Sequence, residues 1–498
     1  MSYKVKLYKQ GEATEHIVEE GQNLLQLIQD NDVEISAPCG GQGTCGKCKV
    51  EIKNDGHVTS CLYEVYKDID VVLPEELEMR ILSSQYELTK TVWSNPGKSA
   101  DLAPLPYGLA VDIGTTTMAF YVVNLLFGTV VDVITSINPQ SKFGADVISR
   151  INYGVENEDG VKNLQEVLIK SINKTIADYC DESGIAFDDF VKVSIVGNTT
   201  MLHNFMGIDA LPIAHAPFTP VFTEVKKMTA KEIGIKIHDE GEVVLSPSLS
   251  GYVGADIIAG LASLDETKIG KKYLFIDIGT NGEMALVTPN KIVACATAAG
   301  PAFEGANISK GMSATTGAIS KFTNDGYEVL GGVEPIGICG SGLIDIVANM
   351  VENEVIVMDG NISEDFVIKN SNSSEPTSVS LTQQDIREVQ LAKSAIASGI
   401  NRMLAIAGVD VSELDNIYLA GGFGNYINIE SAIRIGLLPD VELDKYVQIG
   451  NTAGTGAVLA LKSEGYMTEM EELIKKMEYI ELSTDDEFSM EFAMNMFF

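Results

Sequence analysis

YGLAVDIGTTTMAFYVV (107–123) and YLFIDIGTNGEMALV (273–287) are two versions of one pattern. Each is an apolar strand ending in Asp-Ile-Gly-Thr, followed by a polar turn and a second apolar strand. From residue 107 onward, long strands alternate with helical segments, an α/β arrangement. The repetition predicts a duplicated fold with two similar lobes, at about 107–272 and 273–498. A lone DIGT carries little weight, since Asp-x-Gly also marks ordinary hairpin turns. Two copies that open matched lobes carry much more.

The chemistry of these turns fits a nucleotide. Backbone N–H groups and hydroxyls in a tight hairpin bind phosphate oxygens, and a carboxylate at the strand end holds a hydrated magnesium ion. One phosphate loop is then Asp112 with Gly114, Thr115, Thr116 and Thr117, and the other is Asp277 with Gly279, Thr280, Asn281 and Gly282. Asp112 and Asp277 are expected to position magnesium and the attacking water. Glu283, on the return strand, is a candidate to orient that water or contact a ribose, and is equally readable as a solvated hairpin carboxylate. A third segment, IYLAGGFGNYINIESAIRIGLLP (417–439), reads as a buried strand, a double glycine, a loop and a helix. Gly421 and Gly422 would let the backbone press against an adenosine, with Phe423 nearby. Close strand–helix packing explains the same glycines.

The N-terminal part has a different character. CGGQGTCGKC (39–48) and Cys61 give the spacing C-x5-C-x2-C-x12-C. Four thiolates on a glycine-rich loop are what an iron–sulfur cluster requires, and the plant-type spacing C-x4-C-x2-C…C is one residue shorter between its first two ligands. Structural zinc sites usually pair two separated knuckles, whereas this chain has one CxxC and no suitably spaced histidine. Cys39, Cys45, Cys48 and Cys61 are therefore the expected ligands of a [2Fe–2S] cluster. Residues 3–9 and 14–19 alternate as a hairpin, a short helix follows at 22–31, then the cysteine loop, a strand at 48–53 and a closing strand near 71–76. This is the order of a ferredoxin-like β-grasp domain, placed at 1–84. The Pro/Gly/Ser-rich stretch 85–106 reads as a linker before the α/β part at 107–498.

Composition excludes several roles. Seventy acidic against 35 basic residues give a net charge of −35, which disfavours nucleic acid and anionic membrane surfaces. MSYKVKLYKQ has no apolar run resembling a signal peptide, and no segment is long enough to span a bilayer. Cysteine usage favours a reducing cytoplasm over a disulfide framework. Cys180, Cys295 and Cys339 read as small buried side chains, His203 and His215 as core or capping residues. Hydroxyls in SPSLSGYVGAD (246–256) are candidates to face a partner.

The three nucleotide segments, in this order, resemble the phosphate-1, phosphate-2 and adenosine motifs of the acetate and sugar kinase/heat-shock chaperone/actin superfamily. The resemblance spans 107–498 and implies a two-lobed actin-like ATPase fold closing around ATP. A ferredoxin-like domain fused to it resembles the reductive activators of corrinoid proteins. Further similar stretches are NPQSKFGADVISRI (138–151), VGNTTMLHNFMG (196–207), GYVGADIIAGL (251–261), ATAAGPAFEGANISKGM (296–312) and GICGSGLIDIV (337–347). The resemblance implies an ATP-hydrolysing activase that passes one electron to inactive Co(II) cobalamin. Its partners would be a corrinoid protein of a methyltransferase system and a low-potential donor such as ferredoxin or flavodoxin, with a homodimer among the assemblies open to it. The chain departs from larger activators in its short Cys48–Cys61 interval and in lacking an extra domain before the ATPase. Three alternatives remain at this stage: an activator of a 2-hydroxyacyl-CoA dehydratase, a small-molecule kinase with a redox sensor, and a redox-dependent binding module.

Overall fold

The computed structural model describes residues 2–9, 12–31, 35, 41, 43, 48–53, 55–73, 96–264, 271–369 and 378–498. The expected linker lies outside these residues up to 95, as does the tail of the first domain from 74. From Pro96 on, the linker is docked: Lys192 Nζ donates to the Pro96 carbonyl, and Leu102 and Ala103 pack onto a buried cluster of the ATPase part.

The first domain is a five-stranded mixed sheet in the order Glu12–Glu19, Ser2–Lys9, Ile69–Val72, Lys49–Ile52, Gly56–Thr59. Alternation in the strands sends Val5, Leu7, Val50, Ile52, Ile69 and Val71 into one core. The helix Leu24–Asp30 covers it with Leu24, Leu27 and Ile28, and starts where Asn23 Oδ1 accepts from the Gln26 N–H. The last strand sits at the centre of the sheet, parallel to the first, rather than closing an edge.

The ATPase part has two six-stranded sheets that share a topology. The first runs Thr129–Ile137, Thr117–Asn124, Tyr107–Ile113, Phe190–Gly197, Glu242–Leu245, Lys226–Thr229. The second has the corresponding five strands as Ile292–Thr297, Gly282–Val287, Tyr273–Ile278, Asn416–Ala420 and Tyr446–Gly450, with Met477–Tyr479 added at one edge. In both, three antiparallel strands are followed by two parallel additions, so Asp112 and Asp277 occupy equivalent strand ends. Phe190–Gly197 is buried along its whole length, as a central parallel strand covered on both faces must be.

The lobes are not contiguous segments divided at 272/273. After the edge strand Tyr446–Gly450, the helix Thr452–Lys462 returns to the first sheet, burying Val458, Leu459 and Leu461 with Ala110, Tyr121 and Val123. Gly456 permits this approach: a Cβ there would lie 2.5 Å from Ala259 of the neighbouring helix Ala255–Ala262.

Candidate functional site

The first phosphate loop is held from beneath by three side chains distant in sequence. Asn138 Nδ2 donates to the Gly114 carbonyl at 2.7 Å, Arg150 donates to the Thr115 carbonyl at 2.6 Å, and Asn198 Nδ2 donates to the Thr115 hydroxyl at 3.0 Å. Arg150 and Asn138 are fully buried. Asn198 also caps the helix Thr199–Met206 by accepting from the Met201 N–H. Gly114 is obligatory here, because a Cβ would lie 2.6 Å from the Thr117 carbonyl oxygen. The Arg150 guanidinium is surrounded by carbonyl oxygens, the Gln140 amide and the Met201 sulfur, with no carboxylate bonded to it. Its charge sits behind the turn expected to receive phosphate, with the Asp146 and Glu304 carboxylates acting on it electrostatically.

The second loop lies opposite. Gly279 N–H donates to the Asn281 carbonyl, closing the turn, and Thr297 supports the Gly282 carbonyl from the next strand. The Glu304 carboxylate joins the loops, accepting from Thr116 Oγ1 at 3.0 Å and Thr280 Oγ1 at 2.7 Å.

Behind the loops is a group of acids. Asn451 Nδ2 donates to Asp112 Oδ2 at 2.8 Å, while its own Oδ1 caps the returning helix through the Gly454 N–H. Burial pushes Asp112 up to about 6, partly offset by that donor. Asp277 is pushed up to about 7, by burial first and by the Asp112 charge second. Asp256, in the first turn of Ala255–Ala262, and Glu283, cross-strand neighbour of Asp277, are also raised by burial and then by the surrounding acids. Glu283 is 9 % exposed, so it is not the solvated hairpin carboxylate that the sequence equally allowed. Mutually repelling carboxylates in a desolvated cleft call for a cation. Among the described residues, no three Asp, Glu, His or Cys side chains converge closely enough to ligate a metal directly. This donor set suits an ion that keeps its water shell, as magnesium does.

The acids set a sign for stability against pH. Their folded values lie above the ordinary unfolded carboxylate value, so the folded state binds more protons between about pH 4 and pH 7. Their stabilising contribution is present below that window and is lost as pH rises through it. The melting temperature without nucleotide should therefore carry a downward component across this window, and Asp277→Asn should flatten it. A melting curve whose pH slope is the same in Asp277→Asn would contradict the arrangement.

The adenosine segment begins with Gly421 at φ +79°, where a Cβ would fall 2.3 Å from Asp277 Oδ1. Gly421 thus serves the Asp277 carboxylate directly, while Gly422 faces open space. The Phe423 ring stacks on Phe303 with centroids 5.4 Å apart and planes at 7°.

Cys39 and Cys45 lie outside the described residues. Cys48 and Cys61 are buried together against Leu25. The twelve residues between them form the hairpin of Lys49–Ile52 and Gly56–Thr59, which returns the chain so that Ser60 N–H donates to the Cys48 carbonyl at 2.8 Å. A short interval is therefore enough. Gly41 of the cysteine loop lies beside Cys61: a Cβ there would be 3.1 Å from Leu25 and 3.8 Å from the Cys61 Cβ.

The remaining candidates are structural. His203 uses both ring nitrogens in the core, Nδ1–H donating to the Thr199 carbonyl and Nε2 accepting from the Val221 N–H, and burial lowers its pKa. Cys180, Cys295 and Cys339 are buried and free. Ser246 and Ser248 are also buried, so those two hydroxyls cannot face a partner, while Ser250 and Tyr252 of the same stretch are half-buried. Sequence reasoning missed Asp256, Glu304, Asn451 and Arg150 as site residues. Asn451→Ala should lower stability by about 1 kcal/mol through the lost helix cap, and ATP turnover should fall with it as Asp112 loses its donor. Turnover unchanged in that variant would separate the two roles.

Comparison with known proteins agrees with this construction. Residues 271–498 match a family model described as the C-terminal domain of RACo, the ASKHA domain; 107–267 match the RACo middle region; and 7–69 match a 2Fe-2S iron-sulfur cluster binding domain. The corrinoid activation enzyme RamQ of Eubacterium limosum is 30% identical, over 95% of this chain and 96% of its own. A Methanosarcina barkeri protein described as [Co(II) methylated amine-specific corrinoid protein] reductase is 26% identical over 77% of this chain and 75% of its own. A solved structure of a reductive activator for corrinoid, iron-sulfur protein superposes with a TM-score of 0.73 at 30% identity, covering 99% of this chain and 98% of that one. A ferredoxin-like domain with its cysteine hairpin, and two matched lobes meeting at paired strand-end aspartates, place the chain in the RACo family of corrinoid-protein activators.

Proposed function

We propose that this protein hydrolyses ATP to move one electron onto a corrinoid protein, returning inactive Co(II) cobalamin to Co(I) for methyl transfer. The observation that carries this reading is the junction of a buried cysteine pair on a ferredoxin hairpin with two phosphate loops that meet over four acids, all in one chain. When bound, the cluster holds the single electron and magnesium-ATP supplies the driving force. Co(I) cobalamin lies at very low potential, so an ordinary ferredoxin-type donor delivers its electron uphill. Nucleotide binding supplies the difference by changing which partner state is held tightly.

The chain's own groups divide the work. Cys48 and Cys61, with Cys39 and Cys45, ligate the [2Fe–2S] cluster. Gly114, Thr115, Thr116 and Thr117 on one side and Gly279, Thr280, Asn281 and Gly282 on the other receive phosphate oxygens. Asp112 and Asp277 orient the hydrated magnesium ion and the attacking water, and Glu283 and Asp256 back them with charge. Gly422 leaves room for the adenosine beside Phe423, and Gly421 lets the Asp277 carboxylate lie against the start of that segment. A ferredoxin or flavodoxin of low potential would be the electron donor, the setting is cytoplasmic, and a homodimer is the assembly to look for. Among the described residues, no helix is long and apolar enough to cross a membrane.

Cys180, Cys295 and Cys339 stand on separate elements, the helix Gly160–Ser183, the strand Ile292–Thr297 and the N-cap of the helix Gly340–Glu352. Among the described residues they join no cluster of metal-ligating side chains, which argues against a cluster carried by the ATPase lobes, as an activator of a 2-hydroxyacyl-CoA dehydratase would have. The test combines purified protein, a low-potential reductant, ATP and a Co(II) corrinoid protein, and follows the Co(I) absorbance. ATP-dependent Co(I) formation is expected. A four-iron EPR signal, or no Co(I) with corrinoid proteins from several methyltransferase systems, would overturn the assignment.

A further inference from the structure

Glu304 has no part in the division of labour above, yet it is the residue that bridges the two phosphate loops. Its two oxygens are used separately, one on Thr116 of the first lobe and one on Thr280 of the second. The carboxylate is also within electrostatic reach of Arg150, the buried cation behind the first loop. An anion held between two threonine hydroxyls and backed by a guanidinium occupies the environment that a terminal phosphate would seek. The Glu304 side chain is half-buried, on a turn anchored by the buried Ala302 and Phe303, so it is the side chain that can leave. Glu304 ends the short turn Pro301–Glu304, and the glycines on either side are left-handed, Gly300 at φ +76° and Gly305 at φ +81°. A Cβ on Gly300 would meet nothing within 4 Å, whereas one on Gly305 would lie 2.6 Å from the Met312 backbone, so the turn is open at its first end and packed at its second.

We infer that Glu304 is a built-in phosphate mimic that clasps the two loops in the nucleotide-free protein and is displaced by the terminal phosphate of ATP. The inference rests on the nucleotide-site reading above and makes Glu304 a specificity-determining, positioning residue rather than a catalytic one. ATP must expel a carboxylate of like charge and take over its two hydroxyl donors, whereas ADP, lacking the terminal phosphate, leaves the clasp in place. Glu304 thereby lowers affinity for ATP specifically, and its release reports that a triphosphate has arrived. The turn transmits the event, because Phe303 beside Glu304 stacks on Phe423 of the adenosine segment.

Calorimetric titration of the full-length holoprotein with a non-hydrolysable ATP analogue and with ADP, both with magnesium, tests this. Removing a competing charged acceptor in Glu304→Ala should tighten the analogue about tenfold and leave ADP within about twofold. Glu304→Gln, which keeps the shape and removes the charge, should fall between Glu304→Ala and the wild type. Weaker or unchanged analogue binding in Glu304→Ala, or an equal gain for ADP, would overturn the clasp. Wild-type protein that bound neither nucleotide would overturn the clasp and the nucleotide site together, so the two failures are distinguishable.

Discussion

Replacing Cys61 with serine should abolish Co(I) formation while leaving nucleotide binding intact. Cys61 sits in the turn Ser60–Leu62, returned by a hairpin to the side of Cys48, with Gly41 of the cysteine loop beside it. The carbonyl of Cys61 accepts from Asn23 Nδ2 at 2.9 Å, so the backbone will hold its position in the variant and only the ligand atom changes. A serine oxygen is a poor substitute for a thiolate on iron, and losing a ligand outright should exceed the 10–100-fold typical of an outer-shell change. Co(I) formation is therefore expected to drop at least about a hundredfold, with loss of the reduced-cluster EPR signal. The nucleotide loops belong to other cores, so the ATP-analogue affinity should match wild type. Cys180→Ser provides the contrast: that thiol is packed in the first lobe and its loss should leave the cluster spectrum unchanged. A Cys61→Ser protein that kept a full [2Fe–2S] signal would show that the fourth ligand lies elsewhere.

The second large effect belongs to Asp277. Asparagine has the same shape, so Asp277→Asn should fold and should keep the close approach of Gly421. It removes the charge that faces Asp112 and Asp256 across the cleft. Removing one preorganised electrostatic group from an active site typically costs a factor of about 10² to 10³ in rate. ATP hydrolysis and Co(I) formation should fall together by that amount while the cluster spectrum stays as in wild type. Protons and magnesium compete for Asp112 and Asp277, so in wild type the magnesium needed for half-maximal hydrolysis should rise as pH falls from about 7 to about 6. A steady-state ATPase assay across that interval, with the variant alongside, checks both. Asp277→Asn with near-normal turnover would remove the aspartate from the mechanism.

The sequence made the fold legible where its signals are local. Strand–turn–strand units with DIGT announce themselves through apolar runs broken by glycine, and their repetition exposes the two lobes. The short Cys48–Cys61 interval looked anomalous as a spacing, but a hairpin with Lys49 opposite Thr59 accounts for it. What stayed hidden depends on long-range contacts. Glu304 meets Thr116 from 188 positions away and Asn451 meets Asp112 from 339, and neither carries a local signature beyond an ordinary turn or helix cap. Asn138, Arg150 and Asn198 lie in stretches whose resemblance to activators was visible, yet only the fold shows that all three hold one loop. Ser246 and Ser248 misled because hydroxyl-rich sequence reads as surface, whereas here it passes through the interior.

The helix Thr452–Lys462 bears on how the molecule comes into being. Its buried face completes the first lobe, whose strands have been synthesised more than 200 residues earlier. Until this helix emerges from the ribosome, Ala110, Tyr121 and Val123 lack a large part of their cover, and Asp112 lacks the donor of Asn451. The usual sequence in which an N-terminal unit folds before the next is made cannot finish here. The ferredoxin-like domain has its own core and can mature early, while the ATPase must wait for almost the whole chain. Nascent chains stalled before residue 452 should therefore present an exposed apolar sheet to holding chaperones, and those released after residue 462 should not.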